Sequence, residues 1–484
     1  MDQAEAAGTL PRGADRRPVN GLATRGGSGE VARRVAAIAV SALLLVWPAF
    51  WNGYPLVFAD TGTNLGQALI VYLGWDRPPF YSVFLLATHW RLSLWGPVLA
   101  QGLIVAHLLG LVLRLLGRPE PWALLLAAAG LAVFTGLPWV TAQLIPDVFT
   151  GLVLLSLWLV GFRWARLSVP ERWWLLLLAT GGVAMHQSHL PLALGLAGLG
   201  GLLLWAWRGL RPALAGVARM AGPALLAALA MLAVNLAGHG RASISPFGAV
   251  FLAARLIGDG PALEVLRERC PTGETGWRIC GMLDRLGPHH NDFLWNPEGV
   301  LRGALGGAKA WAPEAAEIVA ATLSEAPGEV AARFAGNTLR QLTLLDTGDG
   351  LEPWPDEPGP EPVIARFLPQ ELAAYRASRQ YRGLLLADAQ VLAPLHRAVA
   401  WLGILGLVLV PLLRRDRLGR PEVALVLFVL AGGVGNAAIT GGLSGPAVRY
   451  QARLAWVFVF VPGALMAVPR WRPPERDPPP QATP

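Results

Sequence analysis

The stretch RVAAIAVSALLLVWPAFW, residues 34–51, is followed closely by the loop LVFADTGTNL, residues 56–65. An apolar run of about 20 residues is the length at which an α-helix crosses the hydrocarbon core of a bilayer. Because only helices and closed barrels satisfy their backbone hydrogen bonds there, the run predicts a membrane-spanning helix. The loop then holds the carboxylate of Asp60 just outside the bilayer, within reach of a lipid-borne substrate.

The composition of the chain indicates a membrane protein. Of its 484 residues, 54% are hydrophobic and 15% are charged, and its mean hydropathy is +0.45. This amount of apolar surface excludes a water-soluble domain. The net charge of +8 does not indicate nucleic-acid binding, because the arginines lie at the ends of apolar runs and not in one stripe with aromatic residues. We therefore predict an all-α polytopic membrane protein whose partner is the lipid bilayer and not nucleic acid.

The apolar runs predict about ten transmembrane helices. The polar turn from His186 to His189 divides one long apolar stretch into two spans. Residues 78–95, which include Arg91, predict an amphipathic helix on the outer interface and not an eleventh span. The expected spans are 34–51, 97–116, 121–140, 147–165, 172–187, 190–207, 214–235, 394–413, 421–439 and 454–469.

The arginines that flank the short loops predict the orientation, since positive charge is retained in the cytoplasm. With ten alternating spans these arginines fall on one side, so both termini are expected in the cytoplasm of a bacterial-type cell, with the chain in the inner (plasma) membrane. No small-residue cleavage site follows the first apolar run, which predicts a retained anchor. The loops expected to face the periplasm are 52–96, 141–146, 186–189, 236–393 and 440–453.

The chain divides into five parts by composition. Residues 1–30 and the Pro-rich residues 473–484 predict disordered cytoplasmic tails. Residues 31–235 are expected to form an N-terminal transmembrane core of seven helices with acidic outer loops, and residues 394–472 a C-terminal transmembrane part of three helices. Residues 236–393 predict a mostly helical periplasmic segment that is long enough to bury a small core.

Two aspartates in the outer loops are the candidate catalytic residues. Asp60 precedes an apolar run and Asp147 starts the fourth expected span, so each could instead cap a helix. The predicted topology places both on the outer surface, where a base and a metal-holding or acceptor-orienting group could converge. We therefore predict Asp60 and Asp147 as catalytic carboxylates and as ligands of a divalent cation such as Mg²⁺ or Mn²⁺.

Basic and aromatic residues at the same face are candidate substrate contacts. Arg449 and Arg453 are four residues apart, so they share one helical face and suit bidentate phosphate binding, although interfacial snorkelling is the alternative. Tyr450 lies between them, and Arg77 and Tyr81 form a second basic and aromatic pair near Asp60 in sequence.

His186 and His189 are three residues apart, a spacing that allows a metal site, a proton relay or substrate contact, while histidines at an interfacial turn are the simpler interpretation. We include both among the candidate substrate-binding residues. Cys270 and Cys280 are the two cysteines of the chain and lie in the long outer segment, which predicts a structural disulfide in an oxidising compartment.

One motif match would indicate a different function, that of an aspartic protease. Asp60-Thr61-Gly62 and Asp346-Thr347-Gly348 both match the tripeptide of aspartic proteases, which pair two such aspartates. In those proteases the motif lies on strand turns of a β-rich domain, whereas Asp60 lies between predicted membrane helices. The surroundings therefore argue against a protease.

The order of these features resembles the GT-C superfamily of membrane glycosyltransferases, which includes protein mannosyltransferases, oligosaccharyltransferases and aminoarabinose transferases. The resemblance lies in Tyr54-Pro55 through Asp60, in Arg77-Pro78-Pro79-Phe80-Tyr81-Ser82, in Pro146-Asp147 and in Arg449-Tyr450. It implies that Asp60 is the first-loop catalytic or metal-binding acid, Asp147 the second-loop acid and Arg449 a contact of the donor phosphate. The implied reaction is an inverting transfer of a sugar from a polyprenyl-phosphate carrier to a glycan, lipid or protein acceptor at the periplasmic face.

The alternative function is transport or flipping of a lipid-linked or amphipathic molecule. Transporters usually carry polar or charged groups deep within their spans and often consist of repeated halves. In this chain the acids and arginines gather near one predicted surface and no internal repeat is apparent. The pattern favours surface chemistry over passage through the membrane.

Overall fold

The computed structural model describes residues 28–273, 275–355 and 359–469. The predicted tails, 1–30 and 473–484, lie outside these ranges except for the first residues of the first helix. Within the described ranges the chain is helical and forms no strand. The prediction of an all-α protein is therefore confirmed.

The first eleven helices belong to the N-terminal half of the chain. They are α1 Ser28–Leu44, α2 Trp47–Asn52, α3 Ala59–Ile70, α4 Phe80–His89, α5 Trp95–Leu115, α6 Pro121–Phe134, α7 Leu137–Ala142, α8 Phe149–Phe162, α9 Val169–Met185, α10 His189–Arg208 and α11 Leu210–His239. The remaining ten are α12 Gly248–Asp259, α13 Pro261–Arg269, α14 His290–Trp295, α15 Gly307–Glu325, α16 Pro327–Thr343, α17 Glu361–Phe367, α18 Leu372–Ala377, α19 Leu385–Leu413, α20 Arg420–Ala437 and α21 Val448–Met466.

Five segments of the described chain are long and apolar enough to cross a membrane by length and composition: α5, α10, α11, α19 and the continuous helical stretch Arg420–Gly442 that begins with α20. Several of their large apolar side chains are exposed, among them Leu229 and Leu402 at 62% and 65%. Exposed apolar surface of this extent is typical of helices that face lipid. The described part of the chain is thus helical and holds five candidate membrane-spanning helices, as a membrane protein would.

The other expected spans coincide with shorter or interrupted helices. The stretch 34–51 is divided between α1 and α2, and the break lies just before Pro48, whose ring cannot donate a backbone hydrogen bond. Helix α4 covers the middle of the expected amphipathic segment, 78–95.

Helix α8 lies at the centre of the bundle, because all of its 14 residues are buried. At its C-terminal end Arg163 forms an ion pair with Glu422 at the start of α20. At its N-terminal end the short 3₁₀ turn Pro146–Val148 leads into it and carries Asp147. The buried helix therefore places Asp147 inside the protein.

The long segment 236–393 does not pack as one unit. Buried side chains between Phe247 and Ala321 form a separate small core, which includes Trp311. Later residues of the segment, including Leu345 and Tyr375, instead join the main core of the membrane helices. The second part of the segment is therefore part of the helical bundle's own packing.

A single β-bridge joins the two loops that carry the candidate aspartates. Leu56 pairs with Gln143 in a parallel bridge. The Leu56 N–H donates to the Ala142 carbonyl at 3.2 Å, and the Leu144 N–H donates to the Leu56 carbonyl at 2.8 Å. This pairing holds the start of α3 beside the turn that precedes α8.

Candidate functional site

Asp60 lies in the first turn of α3 but does not cap the helix. Phe58 occupies the N-cap position, and its backbone N–H donates to the Thr61 hydroxyl at 2.9 Å. The same hydroxyl donates to the Leu144 carbonyl at 3.0 Å, which fixes the helix start against the second loop. Because Thr61 does the capping, the carboxylate of Asp60 is left for other partners.

Those partners are two arginines. Arg77 approaches one carboxylate oxygen of Asp60 at 3.0 Å, and Arg449 approaches the other at 3.4 Å. Arg77 also pairs with Asp76 at 2.6 Å. Burial acts to raise the pKa of Asp60, but the charges of Arg77 and Arg449 lower it below its usual range. Asp60 is consequently ionised at neutral pH.

Asp147 is buried and pairs with a third arginine. Its Oδ1 lies 3.1 Å from the Arg453 guanidinium group, which has no exposed surface. Arg453 also donates to Asn436 Oδ1 at 2.7 Å and to the Ser188 hydroxyl at 3.1 Å. The buried charge is therefore compensated by three partners from three parts of the chain, as a buried arginine requires.

Helix α21 brings the two carboxylates together. Arg449 and Arg453 lie one turn apart on it, which is about 6 Å along the helix axis. Arg449 also stacks over the rings of Phe58 and Tyr450, with its guanidinium carbon 4.3 Å and 5.0 Å from their centroids. Asp60 and Asp147, which are far apart in sequence, are thus held by successive turns of one helix.

A small cavity of about 30 Å³ lies beside these ion pairs. Asp147 and Arg449 line one part of it, and the loop from Asp346 to Leu351 lines another. This volume is well below the range for small-molecule sites, roughly 300–1,000 Å³, so the cavity admits a small polar group and not a whole sugar. Its remaining lining residues are Gly136, Trp139, Val140, Gln143 and Ala452.

The loop 346–351 is the part of the site that the sequence interpretation missed. Gly348 and Gly350 have φ angles of 117° and 76°, which glycine adopts without strain. A Cβ atom on Gly350 would lie 2.0 Å from the Phe58 ring. The two glycines of Asp-Thr-Gly-Asp-Gly are a signal for a tight turn, whereas the protease tripeptide covers only the first three of these residues.

Asn436 was also missed. It accepts a hydrogen bond from Arg453 and donates to the Tyr450 carbonyl at 2.6 Å, so it links α20 to α21 at the site. A lone amide within the apolar run of α20 was the available signal, because such a group needs buried partners.

Tyr81 is not among the residues that line the cavity, and its substrate contact stays a prediction. It is fully buried, and its hydroxyl donates to Gln101 at 2.7 Å. The Gln101 amide in turn donates to the carbonyls of Thr141 and Gln143, at 2.7 Å and 3.1 Å. Tyr81 therefore supports the second loop from inside the protein.

Both ring nitrogens of His189 also have partners within the protein, and its substrate contact stays a prediction. Its Nδ1 donates to the Gly182 carbonyl at 2.7 Å, and its Nε2 lies 2.7 Å from the Thr150 hydroxyl. His186 lies next to it, with ring centroids 5.2 Å apart, and its Nδ1 accepts the Ser188 N–H at 3.2 Å. Burial and the nearby positive charge of Arg453 keep the pKa of His186 well below its usual range.

The predicted divalent cation does not fit this arrangement of donors. Both oxygens of Asp60 face guanidinium groups, and Asp147 faces Arg453. Positive charge at these positions opposes a second cation. Among the described residues, no group of three or more His, Cys, Asp or Glu side chains could hold a metal ion.

The two cysteines lie away from the site. Cys270 and Cys280, ten positions apart, form a disulfide against the small core between Phe247 and Ala321. Comparisons with protein-family models, with curated proteins and with solved structures find no match for this chain.

Proposed function

We propose that the protein is a membrane glycosyltransferase that moves a sugar from a polyprenyl-phosphate carrier to an acceptor, with inversion at the anomeric carbon. One observation carries the proposal: Asp60 and Asp147, from two different loops, are held by Arg449 and Arg453 on successive turns of α21. Asp147 and Arg449 line the same small cavity.

The arginines suit the phosphate of the donor. Arg77 and Arg449 each keep 18% of their side-chain surface exposed, so an incoming phosphate can reach them. Guanidinium groups bind phosphate oxygens through paired, charge-assisted hydrogen bonds. Asp60 keeps both groups oriented before the donor arrives, which lowers the entropy lost on binding.

The apolar helices suit the lipid part of the donor. Exposed apolar side chains on the spans offer a hydrocarbon environment for a polyprenyl chain. We propose the full arrangement of ten spans, in which the shorter helices complete a GT-C-like bundle. In this arrangement both termini are cytoplasmic and the site faces the periplasm across the bacterial inner membrane.

Transfer assays with purified protein test the proposal. A panel of polyprenyl-phosphate sugars is supplied, and product formation by the parent is compared with Asp60→Asn and Asp147→Asn. Because each change removes a partner that orients an arginine, we expect a fall in transfer of roughly 10²-fold or more. Asp388→Asn is the matched control, since Asp388 pairs with Arg379 at 2.8 Å outside the cavity. Full turnover in both site variants would refute the assignment.

No step of this proposal uses a divalent cation. We expect transfer to be unchanged by EDTA, because the carboxylate oxygens already face guanidinium groups. Activity lost on chelation and restored by Mg²⁺ or Mn²⁺ would return Asp60 and Asp147 to the role of metal ligands.

Transport of a lipid-linked molecule is the second candidate. The observation in its favour is the buried pair of Arg453 and Asp147, with side chains 0% and 5% exposed, since buried ionisable groups often mark transport pathways. Reconstituted liposomes separate the two functions. Translocation of a fluorescent polyprenyl-phosphate sugar without any acceptor or product would favour the transporter.

A further inference from the structure

Three aspartates line the cavity among the described residues. Asp147 and Asp346 pair with arginine side chains, whereas Asp349 does not. It lies in the loop 346–351 and is partly exposed. Its Oδ2 accepts the backbone N–H of Arg449 at 2.8 Å. Asp349, Asp147 and the Arg449 side chain all line the same cavity.

The other carboxylates of the site are committed to guanidinium groups. Asp60 pairs with Arg77 and Arg449, and Asp147 pairs with Arg453. Asp346, in the same loop as Asp349, pairs with Arg397 at 2.9 Å. Among the described residues, Asp349 is therefore the cavity carboxylate with the most freedom to accept a proton.

We propose that Asp349 is the general base that deprotonates the acceptor. The inference rests on the proposed function, because it assigns one step of that reaction. The acceptor hydroxyl oxygen forms a bond to the anomeric carbon of the sugar, and its proton passes to Asp349 Oδ1. The bond between the anomeric carbon and the phosphate oxygen breaks, and its electron pair leaves with the polyprenyl phosphate, which is held by Arg449.

The position of Asp349 suits this step. Its contact with the Arg449 main chain fixes the carboxylate beside the residue that holds the leaving group. Base and leaving-group contact therefore lie side by side, and an acceptor hydroxyl that reaches the cavity meets both. General bases held in this way contribute roughly 10²–10⁴-fold to rates.

Asp349→Asn separates the chemical role from a structural one. The asparagine side-chain oxygen can still accept the Arg449 N–H, so the loop keeps its anchor, but the amide cannot take a proton. With a donor that the parent uses, we expect kcat to fall roughly 10²–10⁴-fold while the Kd for that donor stays within about threefold, because the phosphate contacts remain. Asp388→Asn is the control for the same chemical change outside the cavity.

Azide gives the second measurement, since this anion attacks without losing a proton. If Asp349 is the base, Asp349→Ala forms glycosyl azide of inverted configuration from the same donor, although its transfer to the hydroxyl acceptor is lost. Parallel loss of both reactions in a variant with unchanged thermal unfolding would overturn the proposal, as would an Asp349→Asn variant that keeps more than a tenth of the parental kcat. A parent that transfers no sugar from any donor would refute the proposed function itself.

Discussion

Arg453 lies fully buried in α21, and its guanidinium group is shared by Asp147, Asn436 and Ser188. Its removal leaves the carboxylate of Asp147 buried without a counter-charge. We expect Arg453→Met to lower the free energy of unfolding by about 3–5 kcal/mol. Thermal or denaturant unfolding of the detergent-solubilised protein measures the change.

Two comparisons make this prediction specific. Arg34→Met removes the exposed pair of Arg34 with Glu30, whose side chains are 47% and 39% exposed, and should cost less than about 1 kcal/mol. The double change Arg453→Met with Asp147→Leu should recover part of the stability lost in the single variant, because no unpaired charge remains. A double variant less stable than the single one would contradict this account.

The lowered pKa of Asp60 predicts how the stability of the protein depends on pH. Its folded pKa lies below the ordinary value because of Arg77 and Arg449, although burial opposes this. Its charge therefore stabilises the fold above about pH 4 and this stability is lost as the pH falls through the lowered pKa. We expect the difference in melting temperature between the parent and Asp60→Asn to be constant from about pH 8 to about pH 5 and to shrink only below about pH 4.

A raised pKa of Asp60 would give a different dependence of stability on pH. A difference that already shrinks between about pH 7 and about pH 6 would mean that burial raises the pKa of Asp60 more than the arginines lower it. Asp388→Asn serves as the control for a paired aspartate outside the cavity.

At the scale of elements, the loop 346–351 closes one wall of the cavity. Gly350 adopts a φ of 76° directly against the Phe58 ring, at a position where a Cβ atom would lie 2.0 Å from that ring. We expect Gly350→Ala to displace the loop and to lower transfer activity at least about tenfold, because a displacement of about 1 Å near a reacting centre is costly.

Gly336→Ala provides the matched control for this change. Gly336 lies within α16, and a Cβ atom there would meet nothing within 4 Å. Since alanine is favoured over glycine in a helix by up to about 1 kcal/mol, this variant should be slightly more stable and fully active. Equal activity of Gly350→Ala and Gly336→Ala would show that the loop does not shape the site.

The observed helices can be compared with the spans that the apolar runs predict. Helices α5, α10, α11 and α19 overlap the spans expected from their apolar runs. The first expected span, 34–51, is divided near its end, because the run breaks into α1 and α2 just before Pro48. Helix α19 begins at Leu385, nine residues before its expected start at 394, because residues before the span still pack against the main core.

At the scale of the whole molecule, the proposed ten-span topology makes a labelling prediction. Both native cysteines form the disulfide, so single introduced cysteines can be read without background. We expect Ser444→Cys to react with an impermeant thiol reagent in intact cells whose outer membrane has been opened. Asp416→Cys, at a side chain 61% exposed, should react only after the inner membrane is permeabilised. Labelling of both positions from the same side would contradict the proposed topology.

Composition and the length of the apolar runs were enough to predict a helical protein that is apolar enough for a membrane. The sequence also singled out Asp60, Asp147, Arg449 and Arg453 from their residue types and positions. It did not predict that Tyr81 faces the interior.

The partners of these side chains are known only from the tertiary structure. The pairing of Asp60 with Arg449 joins residues separated by 389 positions, and the loop of Asp349 reaches the cavity from the segment 236–393. Local patterns carry no information about such contacts, because ion pairs between distant residues depend on how the helices pack and not on the spacing of residues along the chain.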